Sequence, residues 1–345
     1  MNRNHLITLC MTALLLTSCG NTKAENKEQE SSSSETTSVT SATGVTESNA
    51  EITTTADNES DVSNERSDDS VPDENMTLTK EMFEGVLDNV SVEITDDSII
   101  ETGNVNDQDY RLTIDLSKWA HYTTPNDMVQ LSRLFWQSYP KMYERFSDIT
   151  NAPFEVILAI EDEGYSIAEA GGDFVHLHDE WLYNNPGDYD CIAHELGHIA
   201  QDGSGWDDNF LEYSEYVELL ADVCRMEYPL DGGYYNDAVW TMQNVYEQDT
   251  RETSVRFLVW LDYFYSTKDN DLMHKFCEIC YDQLYTVDQW DVAWQELFSG
   301  TELEGMTIDE VWDMYASSDF SYLSTHAEKG EVSELLQKYD IRGKL

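Results

Sequence analysis

Residues 190–201 read DCIAHELGHIAQ, and this segment decides what kind of fold the chain can have. Most residues around the charged positions are small or apolar, which predicts a helix buried inside a domain. Positions i and i+4 of a helix lie one turn apart on one face, so the imidazoles of His194 and His198 can reach a single metal ion. Glu195 is then placed beside the remaining coordination position, where it could act as a general base towards water.

A catalytic zinc ion requires a third protein ligand, and the segment 211–222, LEYSEYVELLAD, supplies candidates on a second predicted helix. Glu218 stands among apolar residues, whereas its rivals Glu212 and Glu215 have more polar neighbours. Asp222 follows Glu218 by one helical turn and could accept a hydrogen bond from a ligand histidine, which would fix the tautomer of that histidine. The pattern therefore predicts one zinc ion held by the two histidines and Glu218.

The order of the predicted elements indicates the α+β class. Short alternating runs predict four strands, at 90–94, 110–116, 154–160 and 173–178. Longer amphipathic stretches predict helices at 125–146, 187–202, 209–228, 235–248, 252–266, 269–284, 289–298 and 307–316. Strands that precede helices favour a mixed β-sheet with an active-site helix, followed by a mainly helical C-terminal lobe.

The N-terminal part of the chain has the composition of a secretion signal and a linker. Residues 1–18 contain Arg3 and then an apolar run. This run ends in the sequence Leu-Thr-Ser-Cys, whose last residue is Cys19, and it resembles the bacterial lipoprotein signal, in which the cysteine is acylated. The alternative is an ordinary cleaved signal with an incidental cysteine. Residues 19–75 contain no aromatic residue, and 20 of these residues are Ser or Thr. This composition predicts a disordered linker. We expect a domain at 76–345 that is lipid-anchored on the extracellular face of the bacterial membrane.

The formal net charge of −50 restricts the possible partners. Such a surface repels nucleic acid and anionic lipid, so both are excluded as favoured partners. A soluble coat for an extracellular protein is one interpretation of the charge, and attraction of basic peptides is another.

Four cysteines remain in the predicted domain, at Cys191, Cys224, Cys277 and Cys280. Outside the cell disulfides are permitted but not required. The last two form a Cys-x-x-Cys pair inside a helical pattern, without the context of a redox motif or a zinc site. We interpret them as small buried apolar residues.

Several segments, in order and with similar spacing, resemble the basic secretory protein family of plants and bacteria. They are GYSIAEAGGDFVHLHDEWL at 164–182, YDCIAHELGHIAQ at 189–201, VELLADVCRMEY at 217–228, TSVRFLVWLDY at 253–263 and MTIDEVWDMYA at 306–316. The likeness covers about residues 110–316, the expected core of the domain. Members are regarded as zinc peptidases of the glutamate zincin type.

The resemblance implies a zincin-like fold and a role for each matching residue. It places His194, His198 and Glu218 at the metal, Glu195 at the water and Asp222 behind a ligand histidine. Arg256 also matches a family position, in Val-Arg-Phe-Leu.

The substrate cleft is less well defined by the resemblance. Relatives often carry Gly-Tyr where this chain has Thr-Arg at 250–251, so Arg251, Tyr234 or Tyr235 would have to bind the substrate carbonyl in its place. His176 matches a histidine in the edge strand of the family. In zincins the substrate usually pairs with such an edge, so we expect 173–178 to be the substrate-binding edge.

His176 and His178 are two residues apart, so their side chains lie on one face of the predicted strand. Three interpretations are open for them: a lining of the cleft, plain packing, or a second metal site.

The leading functional hypothesis is a zinc peptidase that acts on extracellular protein or peptide. A narrow-specificity aminopeptidase is the main alternative among enzymes. A zinc-binding surface lipoprotein that captures partners without cleaving them is an alternative from another class. The presence of Glu195 argues against the last, because a binding protein has no use for a base beside the open coordination position.

Overall fold

The computed structural model describes residues 77–83, 89–162, 167–201, 210–230, 251–282, 284–286 and 289–318. Within 210–230 the side chains are described from residue 216 onwards, and within 251–282 from residue 255 onwards. The expectations made for 1–75, including Cys19, for Tyr234 and Tyr235, and for the helix 235–248 lie outside these residues. The side chains of Glu212, Glu215 and Arg251 lie outside them too.

Six strands form one mixed sheet within the described part of the chain. They are β1 Val90–Ile94, β2 Ser98–Val105, β3 Gln108–Asp115, β4 Glu155–Glu161, β5 Ala168–Gly171 and β6 Phe174–His178. Their order across the sheet is β1-β2-β3-β4-β6-β5. The central strands β3, β4 and β6 are parallel, whereas β1, β2 and β5 pair antiparallel with their neighbours.

The helices lie mostly after the sheet in the sequence, so the chain belongs to the α+β class. They are α1 Lys80–Phe83, α2 Pro125–Phe146, α3 Asp179–Asn184, α4 Asp190–Ala200, α5 Phe210–Glu227, α6 Arg251–Tyr265, α7 Leu272–Tyr281, α8 Trp290–Phe298 and α9 Ile308–Ala316.

The sequence-based elements are largely confirmed, and the structure adds four. All four expected strands exist, and α2 has the expected bounds. Two strands, β2 and β5, and two short helices, α1 and α3, were not expected. The prediction that 173–178 forms the edge of the sheet is wrong, because β6 lies between β4 and β5. Among the described strands, the edge on that side is β5.

One face of the sheet packs against helices and forms the core. Alternate residues of neighbouring strands point to this face, and their side chains are buried: Ile99, Leu112, Ile114, Val156, Leu158, Val175 and Leu177. Helix α2 connects β3 to β4 and contacts both β3 and α4. It begins with a capping box between Thr124 and Asp127 and has Pro125 in its first turn, where no intrahelical N–H is needed.

A buried arginine connects α2 to three helices of the C-terminal half. Arg145 donates hydrogen bonds to Glu227 on α5 at 2.8 Å, to Asp262 on α6 at 2.8 Å, and through two nitrogens to Asp271 at 2.7 and 2.6 Å. Asp271 is also the N-cap of α7. Burial, with Asp262 nearby, raises the pKa of Glu227 well above its ordinary value. This cluster fixes how α5, which carries part of the candidate site, sits on α2.

The four cysteines of the domain are free and buried in the structure. Burial raises the pKa of each thiol, so none is activated as a nucleophile. The interpretation of Cys277 and Cys280 as packed apolar residues is confirmed.

Candidate metal centre

The candidate site forms where α4 crosses α5, and a glycine allows the two helices to approach. A Cβ built on Gly197 would lie 2.9 Å from Cys224 Cβ and 3.2 Å from Ala221 Cα. Real side chains do not pack that closely, so a larger residue would push the helices apart. Gly197 thus brings Glu218 on α5 within reach of the histidines on α4.

Three side chains converge to form a group that could hold a metal ion: His194, His198 and Glu218. The Nε2 atoms of the two histidines are 3.1 Å apart. Glu218 Oε2 lies 3.3 Å from His194 Nε2, and Glu218 Oε1 lies 3.5 Å from His198 Nε2. Within the described residues this is the one group of its kind.

Asp222 orients the first histidine from behind. Its Oδ1 lies 2.8 Å from His194 Nδ1, and Asp222 is buried. Because a carboxylate accepts the proton of Nδ1, the lone pair of Nε2 faces Glu218 and His198. Burial opposes a charge on His194, but the interaction with Asp222 outweighs it and raises the pKa of this histidine to about 9. The position therefore attracts positive charge, whether proton or metal ion.

Glu195 adjoins the group from inside the protein and is 9% exposed. Burial is the main cause that raises the pKa of its carboxyl to about 7, while His194 lowers it and the charge of Glu218 raises it. A carboxyl with such a pKa can both take up and release a proton near neutral pH.

The structure does not bring His176 and His178 into the metal group. His176 Nδ1 lies 2.7 Å from Glu161 Oε1, and the other oxygen of Glu161 pairs with Lys118 at 2.9 Å. The side chain of His176 lies on the face of the sheet opposite to the buried residues Val175 and Leu177. No second three-ligand group occurs in the described residues, so the second-metal interpretation finds no support there.

Two arginines lie on the helices that follow α4. Arg256, which the resemblance singled out, is on α6 and is buried at 1% exposure, and α6 packs against α5. Arg225 on α5 pairs with the buried Asp188 at 2.9 Å, just before α4 begins. The sequence analysis did not predict this pair, although the sequence shows both an arginine two turns after Glu218 and an aspartate just before α4.

The open edge of the sheet runs beside α4, because β5 contacts that helix. His178 N donates to Ile167 O at 2.9 Å, which makes this the first hydrogen-bonded pair of the antiparallel ladder. Such pairs alternate along a ladder, so the next is Glu169 with His176. The backbone N–H and C=O groups of Ala168 and Ala170 therefore point away from β6. No described strand pairs with them.

Comparison with known proteins gives no match: no family model, no curated protein and no solved structure matches this chain. The function of this protein is therefore inferred from the geometry of the site and from the motifs of the sequence.

Proposed function

We propose that this protein is a zinc-dependent peptidase with a zincin-like fold, which hydrolyses extracellular protein or peptide bonds. The observation that carries the proposal is the convergence of His194, His198 and Glu218, with the buried Glu195 beside them. The test is cleavage of a mixed peptide library by the zinc-loaded full chain. A second candidate, a zinc-binding protein without catalysis, is an outcome of the same test.

The donor set fits zinc better than other common ions. Two imidazole nitrogens and one carboxylate match the preferences of zinc, whereas calcium and magnesium select oxygen ligands. Ligand bonds of about 2.0–2.2 Å in a tetrahedron put the donor atoms about 3.3–3.6 Å apart. Two of the distances found, 3.3 and 3.5 Å, lie in that range, and the third, 3.1 Å, is just below it. The side chain of Glu218 is 41% exposed, so one side of the group stays open to a substrate.

The residues of the chain divide the proposed reaction between them. A zinc ion held by the three ligands would supply Lewis acidity and lower the pKa of a water molecule to about 7. Glu195 takes the proton of the attacking water and later gives it to the leaving amine, and its pKa of about 7 suits both steps. Asp222 keeps His194 in the tautomer that presents Nε2.

The substrate chain would extend the sheet at β5 rather than at β6. The backbone groups of Ala168 and Ala170 that point away from β6 are paired with none of the described residues, and they lie next to the helix that carries Glu195. An extended peptide can form ladder hydrogen bonds with them, which would hold its scissile bond near the site. This replaces the expectation that residues 173–178 bind the substrate.

Replacement of Ala170 by proline tests this docking mode. The N–H of Ala170 points away from β6, so Ala170→Pro should keep the internal ladder and lose one bond to the substrate. We expect KM to rise about threefold to tenfold, the value of one hydrogen bond, with zinc content and Tm unchanged. Ala170→Ser keeps the N–H and is the matched control. Equal KM values for the proline and serine variants would rule the edge out.

We also propose that the protein acts outside the cell, held at the membrane by a lipid on Cys19. No helix among the described residues has the length and apolar character needed to cross a bilayer. We expect Cys19→Ser to move the protein from the membrane fraction into the medium, whereas Cys10→Ser leaves it with the membrane. Fractionation followed by immunoblotting measures this. Retention of the Cys19→Ser protein in the membrane fraction would refute the anchor.

A further inference from the structure

Glu169 is an exposed carboxylate in the middle of the open edge strand. It lies between Ala168 and Ala170, whose side chains pack towards the core, so its own side chain points to the opposite face of the sheet. None of the described residues forms a hydrogen bond or an ion pair with the carboxylate of Glu169. Glu161, on the same face two strands away, is by contrast paired with both Lys118 and His176.

A peptide strand that pairs with β5 brings one of its side chains next to Glu169. Ala168 and Ala170 direct their backbone groups towards the new strand, so an antiparallel partner forms hydrogen-bonded pairs with them. The residue opposite Glu169 then belongs to a non-hydrogen-bonded pair, the type in which facing side chains approach most closely. Both side chains emerge on the same face of the extended sheet.

A second exposed carboxylate, Asp173, stands in the turn between β5 and β6, while Lys118 is paired with Glu161. A second carboxylate opposite Glu169 would be repelled, whereas a cation would be attracted. Since the ladder groups lie on both sides of Glu169, the bound chain can continue in both directions, which favours a cation on a side chain over a terminal amine.

We propose that Glu169 selects substrate chains that carry Lys or Arg at the position paired with it. This inference rests on the proposed peptidase function and names its substrate class: basic stretches of extended polypeptide. Glu169 does not take part in the chemistry. It discriminates between chains by the charge of one side chain at the edge of the cleft.

The test uses the zinc-loaded full chain with three variants: Glu195→Gln, which binds without cutting, Glu169→Lys, and Glu93→Lys. The last makes the same charge change at an exposed position on β1, the opposite edge of the sheet, and is the matched control. Cleavage profiles of a peptide library are recorded by mass spectrometry. Binding of Lys-containing peptides and of their Glu-containing counterparts is measured in the Glu195→Gln background, with free and with acetylated N-termini.

We expect a preference for Lys or Arg at one position near the cut, and an inversion of that preference in Glu169→Lys. Binding of the Lys peptide should fall about fivefold in the Glu169→Lys, Glu195→Gln protein, and not in the Glu93→Lys, Glu195→Gln protein. Identical profiles and affinities for the Glu169→Lys and Glu93→Lys proteins would overturn the inference, as would a preference that disappears on acetylation. Charge-selective binding without any cleavage by the wild type would support the selection of basic chains by Glu169 and refute the peptidase.

Discussion

Glu195→Gln is expected to bind one zinc ion as the wild type does and to lose peptide cleavage by about a hundredfold to ten-thousandfold. Glutamine has the size of glutamate but cannot take up a proton at neutral pH, and Glu195 is not among the converging ligand atoms. The variant therefore removes the general base and leaves the metal group intact. Cleavage of a mixed peptide library, with zinc measured on the same samples, gives the result.

A matched control for this variant is Glu101→Gln, which makes the same change at another buried glutamate. Glu101 lies on β2, where it accepts hydrogen bonds from Ser132 and Trp136, away from α4 and α5. It should cleave as the wild type does. If the Glu195→Gln protein still cuts at the wild-type rate, Glu195 is not the base. If neither the wild type nor the variant cuts while both hold zinc, the non-catalytic binding protein becomes the better explanation.

The metal group could be anticipated from the sequence because the residues that define it lie close together in the sequence, in two pairs. His194 and His198 lie one turn apart on a single helix, and the helical period alone puts them on one face. Glu218 and Asp222 are likewise one turn apart, and the apolar neighbours of Glu218 indicated its phase. What the sequence could not give is the crossing of the two helices, which depends on the contact between Gly197 and Cys224.

The sheet was harder to anticipate, for two different reasons. In β2 the residue that faces the core between Ile99 and Gly103 is Glu101, a charged side chain that breaks the alternation expected of a strand. Its burial is tolerated because Ser132 and Trp136 of α2 donate to it, although burial still raises the pKa of its carboxyl. The sequence of β2 alone does not reveal these hydrogen-bond donors, because they lie on a helix about 30 residues later in the chain.

The prediction that residues 173–178 form the edge of the sheet was wrong for a second reason, which is the weak sequence pattern of β5. The four residues of β5, Ala168–Gly171, are small or charged and have low strand propensity, so they give no recognisable pattern. They form a strand because β6 offers its backbone and α4 covers Ala168 and Ala170. Once β5 is in place, β6 becomes internal, and the residues expected at the substrate change from His176 to Glu169.

The Arg145 cluster shows a further limit of sequence reasoning. Its three carboxylates come from α5, α6 and the start of α7, so no spacing in the sequence connects them. Yet the cluster fixes α5 against α2, and α5 carries Glu218 and Asp222. The helical lobe after the sheet is therefore more than a covering layer, because it holds the third metal ligand in place.

Glu218→Ala should abolish zinc retention, and Asp222→Ala should only weaken it, by about 10–100-fold. Glu218 supplies one of three donor atoms, and two histidines alone leave a catalytic zinc site incomplete. Asp222 lies 2.8 Å from His194 Nδ1 and is not one of the three converging ligands, so its loss frees the ring without removing a ligand. Metal content after dialysis, with competition by a chelator, separates the two effects.

The matched control on the same helix is Glu215→Ala, since Glu215 is one of the two rival ligands, with Glu212, that the sequence left open. It should hold zinc as the wild type does. Equal zinc binding by the wild type and Glu218→Ala would refute the ligand assignment, and loss of zinc in Glu215→Ala instead would transfer that role to Glu215. Because Asp222 is not one of the three ligands, a loss in Asp222→Ala as complete as in Glu218→Ala would contradict its assignment as a residue that only orients His194.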